Sequence, residues 1–309
     1  MLSQAEYAIA QSVIYSALFD YPLTLDQLHE SLIETLLTRD ETLAIYEAST
    51  ELPAIVDYRD GFFFPAGRRD LVDERRRREA RSRQFLASHA RLLRAICLLP
   101  FTRMVALSGS IAHLNLEADG DLDLFIVVRG RHVWTVTVAA IVLTKLVGAR
   151  RIVCANFVLS DSRLDLDEQD LFTANQVLHL KPLAGEDLYE EFVGANPFVR
   201  RFYPNARRRR RDELVLKTSR VGRAIKRACE IVLALPAPAI EGICRRAYTW
   251  HLRRRAPGWK SPDQVRLRAD YLKLHTQSHR RSVLYRFERA MRDALHRAAD
   301  AVAPRAAGM

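Results

Sequence analysis

Cysteine is scarce in this chain of 309 residues, and the four present, Cys97, Cys154, Cys229 and Cys244, stand far apart. No two have the spacing of a zinc knuckle or a redox pair, which excludes a disulfide scaffold. Each is read as a small buried apolar residue in a reducing compartment. Long hydrophobic runs are also lacking. The most apolar stretch, 133–149, has 17 residues and carries Lys145 and three threonines, which is short for a membrane span. It is read as a helix buried against a sheet, so no span is expected. Residues 1–6 have neither a basic n-region nor an apolar h-region, so no secretory signal is expected and the location is expected to be cytoplasmic. Low-complexity tracts are absent and 49% of residues are apolar, as in a folded chain long enough for two or three domains.

Lysine is rare among the 48 basic residues, and the net charge of +11 hides an asymmetry. Residues 1–199 carry a net −8, whereas 200–309 carry +19. A basic segment of that size favours a polyanion: nucleic acid, an anionic membrane surface or a phosphorylated substrate. A set of solvated Arg-rich helices is the plainer alternative.

Along the chain, apolar residues at helical spacing over 5–19 predict a first helix, ended by Asp20-Tyr21-Pro22. Thr24 with Gln27, and Thr38 with Glu41, are capping boxes opening two more helices. A hairpin follows, turning at Asp60-Gly61. Three helices and a hairpin over 1–66 resemble a winged helix, whose functional counterpart is DNA binding through the third helix. That helix carries too few cations to hold phosphates, which favours a protein-contact or structural module. Residues 67–99 read as one long helix, a solvated connector over 67–84 and then a packed half. Strands are expected at 103–108, 121–128 and 151–160, with a helix at 132–148. This alternation argues a covered sheet. Helices follow at 170–180 and 187–192. The region 201–309 is read as basic and α-helical, with helices at 219–235, 239–252 and 264–299.

The sharpest chemical signal lies between Leu107 and Ile126. Gly109-Ser110 forms a turn after one strand, and Asp121 and Asp123 begin the next. Side chains alternate along a strand, so both aspartates project from one face. Two adjacent carboxylates repel each other, and a divalent cation relieves that cost. The backbone after Gly109 has free N–H groups suited to phosphate, and Ser110 adds a hydroxyl.

This order of strand, Gly-Ser turn and Asp-x-Asp strand resembles the active-site signature of the DNA polymerase beta-like nucleotidyltransferase superfamily. The resemblance is local. It implies an α+β or α/β multidomain chain with a nucleotidyltransferase-type mixed sheet. It implies Mg²⁺ or Mn²⁺ on Asp121 and Asp123, and phosphate held by Gly109 and Ser110. The implied reaction moves an NMP from an NTP to a hydroxyl-bearing acceptor, with RNA and a phosphorylated small molecule as the candidate acceptors. Members usually carry a third carboxylate on a neighbouring strand. Here 151–159 has no acid, which leaves Asn156, within it, or Asp161, just past its end, as stand-ins. A nucleotide-binding regulator without catalysis is the alternative. Asp119 is read as shaping the turn into Asp121.

Other residues carry weaker signals. His275 and His279 have helical i, i+4 spacing but no accompanying carboxylate, and His113 lies near the turn. The run 207–211 has no interleaved aromatics, so it argues electrostatic contact. Tyr248 and Trp250 beside Arg253–Arg255 suit a membrane interface, a nucleic acid or a packed helix with a basic edge.

Overall fold

The computed structural model describes residues 2–206, 215–276 and 278–302, with the side chains of 156 and 300–302 outside the description. The run 207–211 therefore lies outside the described residues. Helices α1 (Gln4–Ala17), α2 (Leu25–Glu30) and α3 (Arg39–Ala48) each start on a capping box, set by Ser3, Thr24 and Thr38. Strands β1 (Leu23–Thr24), β2 (Val56–Arg59) and β3 (Phe62–Pro65) form an antiparallel sheet in the order β1-β3-β2. Asp60 and Gly61 both have positive φ, the geometry a two-residue hairpin turn demands.

The long helix α4 (Asp70–Cys97) corrects one expectation. Its front half is not merely solvated: Leu71, Val72 and Arg75 are buried. The Arg75 guanidinium lies 4.1 Å from the Tyr21 ring centroid and 5.0 Å from that of Phe62, and it donates to the Pro22 carbonyl. These contacts pin the helix to the N-terminal module.

The central layer is a mixed sheet. Its strands are β4 (Thr102–Ser108), β5 (Leu122–Val128), β6 (Val153–Ser160) and β7 (Lys181–Ala184), joined by β8 (Val265–Leu267) and β9 (Tyr271–Leu274). Their order is β7-β4-β5-β6-β9-β8. Only β5 and β6 pair in parallel; the other pairs are antiparallel. A one-turn helix, α5 (Gly109–Ala112), follows β4, and α6 (Val133–Leu146) makes the crossover between β5 and β6. Beyond β6 run α7 (Leu171–Leu178), α8 (Glu186–Gly194), α9 (Phe198–Phe202), α10 (Arg220–Ala234), α11 (Ala237–Arg255) and α12 (Arg280–Val302). Alternation along the strands sorts side chains to two cores. Val105, Leu107, Leu124 and Ile126 face α4, α6 and α11, while Met104, Ala106, Phe125 and Val127 face α7 to α9. The architecture is mixed α+β.

The C-terminal region departs from the all-helical expectation. The helix expected over 264–299 starts only at Arg280, because 265–274 supplies the edge hairpin β8–β9, which pairs with β6. Tyr271 and Leu272 are fully buried there. Helix α12 then returns to the N-terminal module, where Met291, Ala294 and Ala298 join its core. Among the described residues no helix is long and apolar enough to cross a membrane.

Helix α6 lacks an N-terminal side-chain cap of its own. Glu241 of α11 fills that place. Its carboxylate accepts from the Trp134 and Thr135 amides at 2.9 and 2.8 Å and from the Thr135 hydroxyl at 2.6 Å. An anion at a helix N-terminus also meets the positive end of the dipole. Replacing Glu241 with Ala orphans these donors, and we expect a loss of about 2 kcal/mol in urea unfolding, with Glu241→Gln intermediate. Equal stability of Glu241→Ala and the parent chain would show that the cap is idle.

Candidate metal and nucleotide site

The site begins with a glycine that no other residue can replace without displacement. Gly109 has φ +64°, and a Cβ built on it would lie 2.6 Å from Asp123 Oδ2. The turn backbone thus rests against the carboxylate. Pairing of Ser108 with Asp123 across β4 and β5 sets this contact. Asp121 stands two residues earlier, and between the two Leu122 is fully buried. Both aspartates are half-buried.

The neighbouring strand adds a group that sequence reasoning assigned to the core. In the parallel β5–β6 pair Asp123 is opposite Cys154. The ligand atoms of Asp121, Asp123 and Cys154 all lie within 4.8 Å of one another. Burial pushes the Cys154 thiol up to about 12, helped by its hydrogen bond to Asp121 and by the charges of Asp121 and Asp123. Two carboxylates and a thiol converging in a half-buried pocket fit a divalent cation. Among the described residues this is the one such cluster of three or more His, Cys, Asp or Glu side chains.

The cluster opens into a cavity of about 490 Å³. Phe125, Phe157 and Phe172 line its apolar side, and Gln176, Gln264 and Lys273 contribute polar groups. Lys273 is buried, with Nζ 2.9 Å from Glu168 and 3.4 Å from the Gln264 side-chain oxygen. Burial draws its pKa down, and Glu168 holds it up. Arg280, at the start of α12, pairs with Asp170, which also caps α7. The far wall is therefore built by β9 and α12, more than 140 residues from the aspartates.

The other expected residues divide. Gly109 lines the aspartate cavity, whereas Ser110 lines an adjoining cavity of about 430 Å³ that shares Gly109, Phe172, Gln176 and His279 with the first. Asp161 does not serve the aspartate pair. It accepts from Arg103 and from the Gly130 amide at 2.9 and 2.8 Å, at the opposite end of the sheet. The Asn156 side chain lies outside the described residues. His275 and His279 do not share a helix: His275 follows β9 and packs edge-on to Phe157, and His279 is exposed just before α12. His113 meets His179 at a tilt, with 4.1 Å between ring centroids, and Tyr21 edge-on, outside the aspartate cavity. Asp119 is exposed. The chain matches no family model, and no curated protein or solved structure matches it.

Two outcomes are expected here. Gly109→Ala forces a left-handed alanine against a carboxylate, so we expect a loss of about 1–3 kcal/mol in denaturant unfolding. An unchanged midpoint would mean that the turn relaxes freely. The second concerns His275, whose pKa burial and the charge of Lys273 lower from 6.5 to about 4. Between those values the unfolded chain binds the extra proton, so the stability of the neutral ring is whole above pH 6.5 and is lost as the pH falls toward 4. The ring is only partly buried, so the parent chain should lose about 2 kcal/mol more than His275→Gln across that window. Parallel stability curves for the two proteins would refute it.

Proposed function

We propose that the chain is a metal-dependent nucleotidyltransferase that moves an NMP from an NTP to a hydroxyl-bearing acceptor. The observation that carries this reading is the convergence of Asp121, Asp123 and Cys154 under the Gly109 turn, at the mouth of a cavity large enough for a nucleotide. Asp121 and Asp123 hold the cation, Mg²⁺ or Mn²⁺. When bound, it supplies Lewis-acid polarisation of the phosphate and neutralises the leaving pyrophosphate. Cys154 occupies the neighbouring-strand position where a third carboxylate is usual in the superfamily that the motif resembles. A thiol there tilts the donor set toward Mn²⁺ and softer ions over Mg²⁺. Backbone at Gly109 grips phosphate, and the Ser110 hydroxyl serves the part of the substrate that extends into the adjoining cavity. The phenylalanine side of the cavity takes a nucleobase face.

The N-terminal module, with three helices beside the β1-β3-β2 sheet, supports the winged-helix reading. The one cation of α3, Arg39, already pairs with Asp26 at 2.5 Å. That favours a protein contact over DNA for this module.

A second reading is a nucleotide-binding regulator without turnover. It is favoured by the cluster itself, which among the described residues contains no third carboxylate. One experiment separates the two: α-labelled NTPs with Mg²⁺ or Mn²⁺, scored for pyrophosphate release and self-labelling, beside nucleotide binding by calorimetry. Transfer should appear, with Mn²⁺ ahead of Mg²⁺, and Asp121→Asn and Asp123→Asn should each lower it about a hundredfold or more. Cys154→Asp should restore Mg²⁺ preference. Binding without any transfer makes the chain the regulator, and neither binding nor transfer sinks both readings.

A further inference from the structure

Helix α10 is strongly amphipathic, yet it has no buried residue. Its apolar residues at 221, 225, 232 and 235 recur at helical spacing and form one stripe. That stripe faces outward: Ile225 is 59% exposed, Val232 74% and Leu235 93%. On its inward side Leu233 packs against the core, and polar anchors fix the helix in place. Lys226 Nζ donates to the Cys97 carbonyl at 3.1 Å and to the Thr102 carbonyl. Glu230 accepts from the Phe101 amide at 2.8 Å and from Arg129 at 3.3 Å. Gly222 packs so near Leu98 that an added Cβ would lie 2.8 Å from its Cδ1. A helix in this register cannot roll its stripe onto the core without breaking those bonds.

Cations surround the stripe. Residues 215–260 hold 11 Lys and Arg against two acids, Glu230 and Glu241. Both acids are consumed inside the fold, by Phe101 and Arg129 and by the α6 N-terminus. Arg220 and Arg227 lie to one side of the stripe and Arg223 further round the helix, and all three are exposed. On α11, Ile243 and Trp250 are also exposed, with Arg254 3.7 Å from the Trp250 ring centroid. A bare aliphatic stripe of this size marks an interaction surface.

We propose that α10 lies in the interface of an anionic lipid bilayer, with its stripe among the acyl chains and its arginines on the headgroups. Charge complementarity selects this occupant. A second copy of the chain would press one cationic surface against another. A nucleic acid would match the charge but would leave the aliphatic stripe wet, because it offers no apolar surface to cover it. A negatively charged bilayer satisfies both at once.

The test uses the full chain with vesicles of phosphatidylcholine alone and with phosphatidylglycerol added. Co-sedimentation should occur with the anionic vesicles, weaken with salt and be at least about tenfold poorer with the neutral ones. Ile225→Asp combined with Val232→Asp should cut binding about tenfold or more while the circular dichroism and melting curve stay unchanged. Arg223→Glu with Arg227→Glu, which keeps the stripe, should also cut it. The proposal is overturned if the parent chain ignores anionic vesicles, or if the stripe variant binds them equally well. It is equally overturned if sedimentation equilibrium shows a dimer that the stripe variant splits.

Discussion

The contact between the Gly109 backbone and the Asp123 carboxylate is the constraint on which the candidate site depends. It sits where the exit of β4 pairs with the entry of β5. With Ser108 opposite Asp123, the turn has nowhere to go but across the carboxylate. A side chain at position 109 would fill the space that Asp123 Oδ2 occupies. The glycine therefore serves geometry twice, through its positive φ and through its missing Cβ. The rest of the cluster is placed relative to Asp123: Asp121 one strand period before, and Cys154 opposite it on β6.

Charge sets the second constraint. Two half-buried carboxylates and a thiol stand side by side at the cavity end of β5 and β6. The nearby cations of the cavity wall are already spent, Lys273 on Glu168 and Arg280 on Asp170. A buried ion pair that balances itself leaves no surplus charge to neutralise its neighbours. A divalent cation at the Asp121–Asp123 end would relieve the repulsion between the two carboxylates.

What was legible in the sequence was local. The capping boxes at Thr24 and Thr38, the Asp60-Gly61 turn and the central strands all depend on residues within a few positions of one another. The Gly109, Asp121 and Asp123 placements were readable for the same reason, since a turn and a period of two suffice. Cys154 was not, because its role depends on the pairing register of β6 with β5, and register is a tertiary fact. The cavity wall was hidden further still. Tyr271–Leu274 lacks strict alternation, four residues set between arginine-rich stretches give a weak strand signal, and the partner that makes them a strand, β6, is over a hundred residues away. Asp161 was misplaced by the same ignorance: closeness to the end of a strand does not say which end of the sheet that is.

The basic last third also takes on a sharper meaning once partners are assigned. A taste for arginine alone would scatter cations over solvated faces without regard to acids. Instead the segment divides. On β8, β9 and the start of α12, cations pair with Asp167, Glu168 and Asp170 and so help close the cavity wall. On α10 and α11, both acids turn inward to hold the fold, and the arginines are left on the outside beside exposed aliphatic residues. Structural charge and surface charge are thus segregated along the chain. A helix held by its polar side, with its apolar side presented to solvent, reverses the usual economy of burial, and such a reversal is stable only because the lysine and glutamate anchors of α10 cost less to satisfy within the protein than to leave unpaired. The stripe is the residue of that trade, and its exposure is fixed by the same bonds that fasten α10 to the sheet.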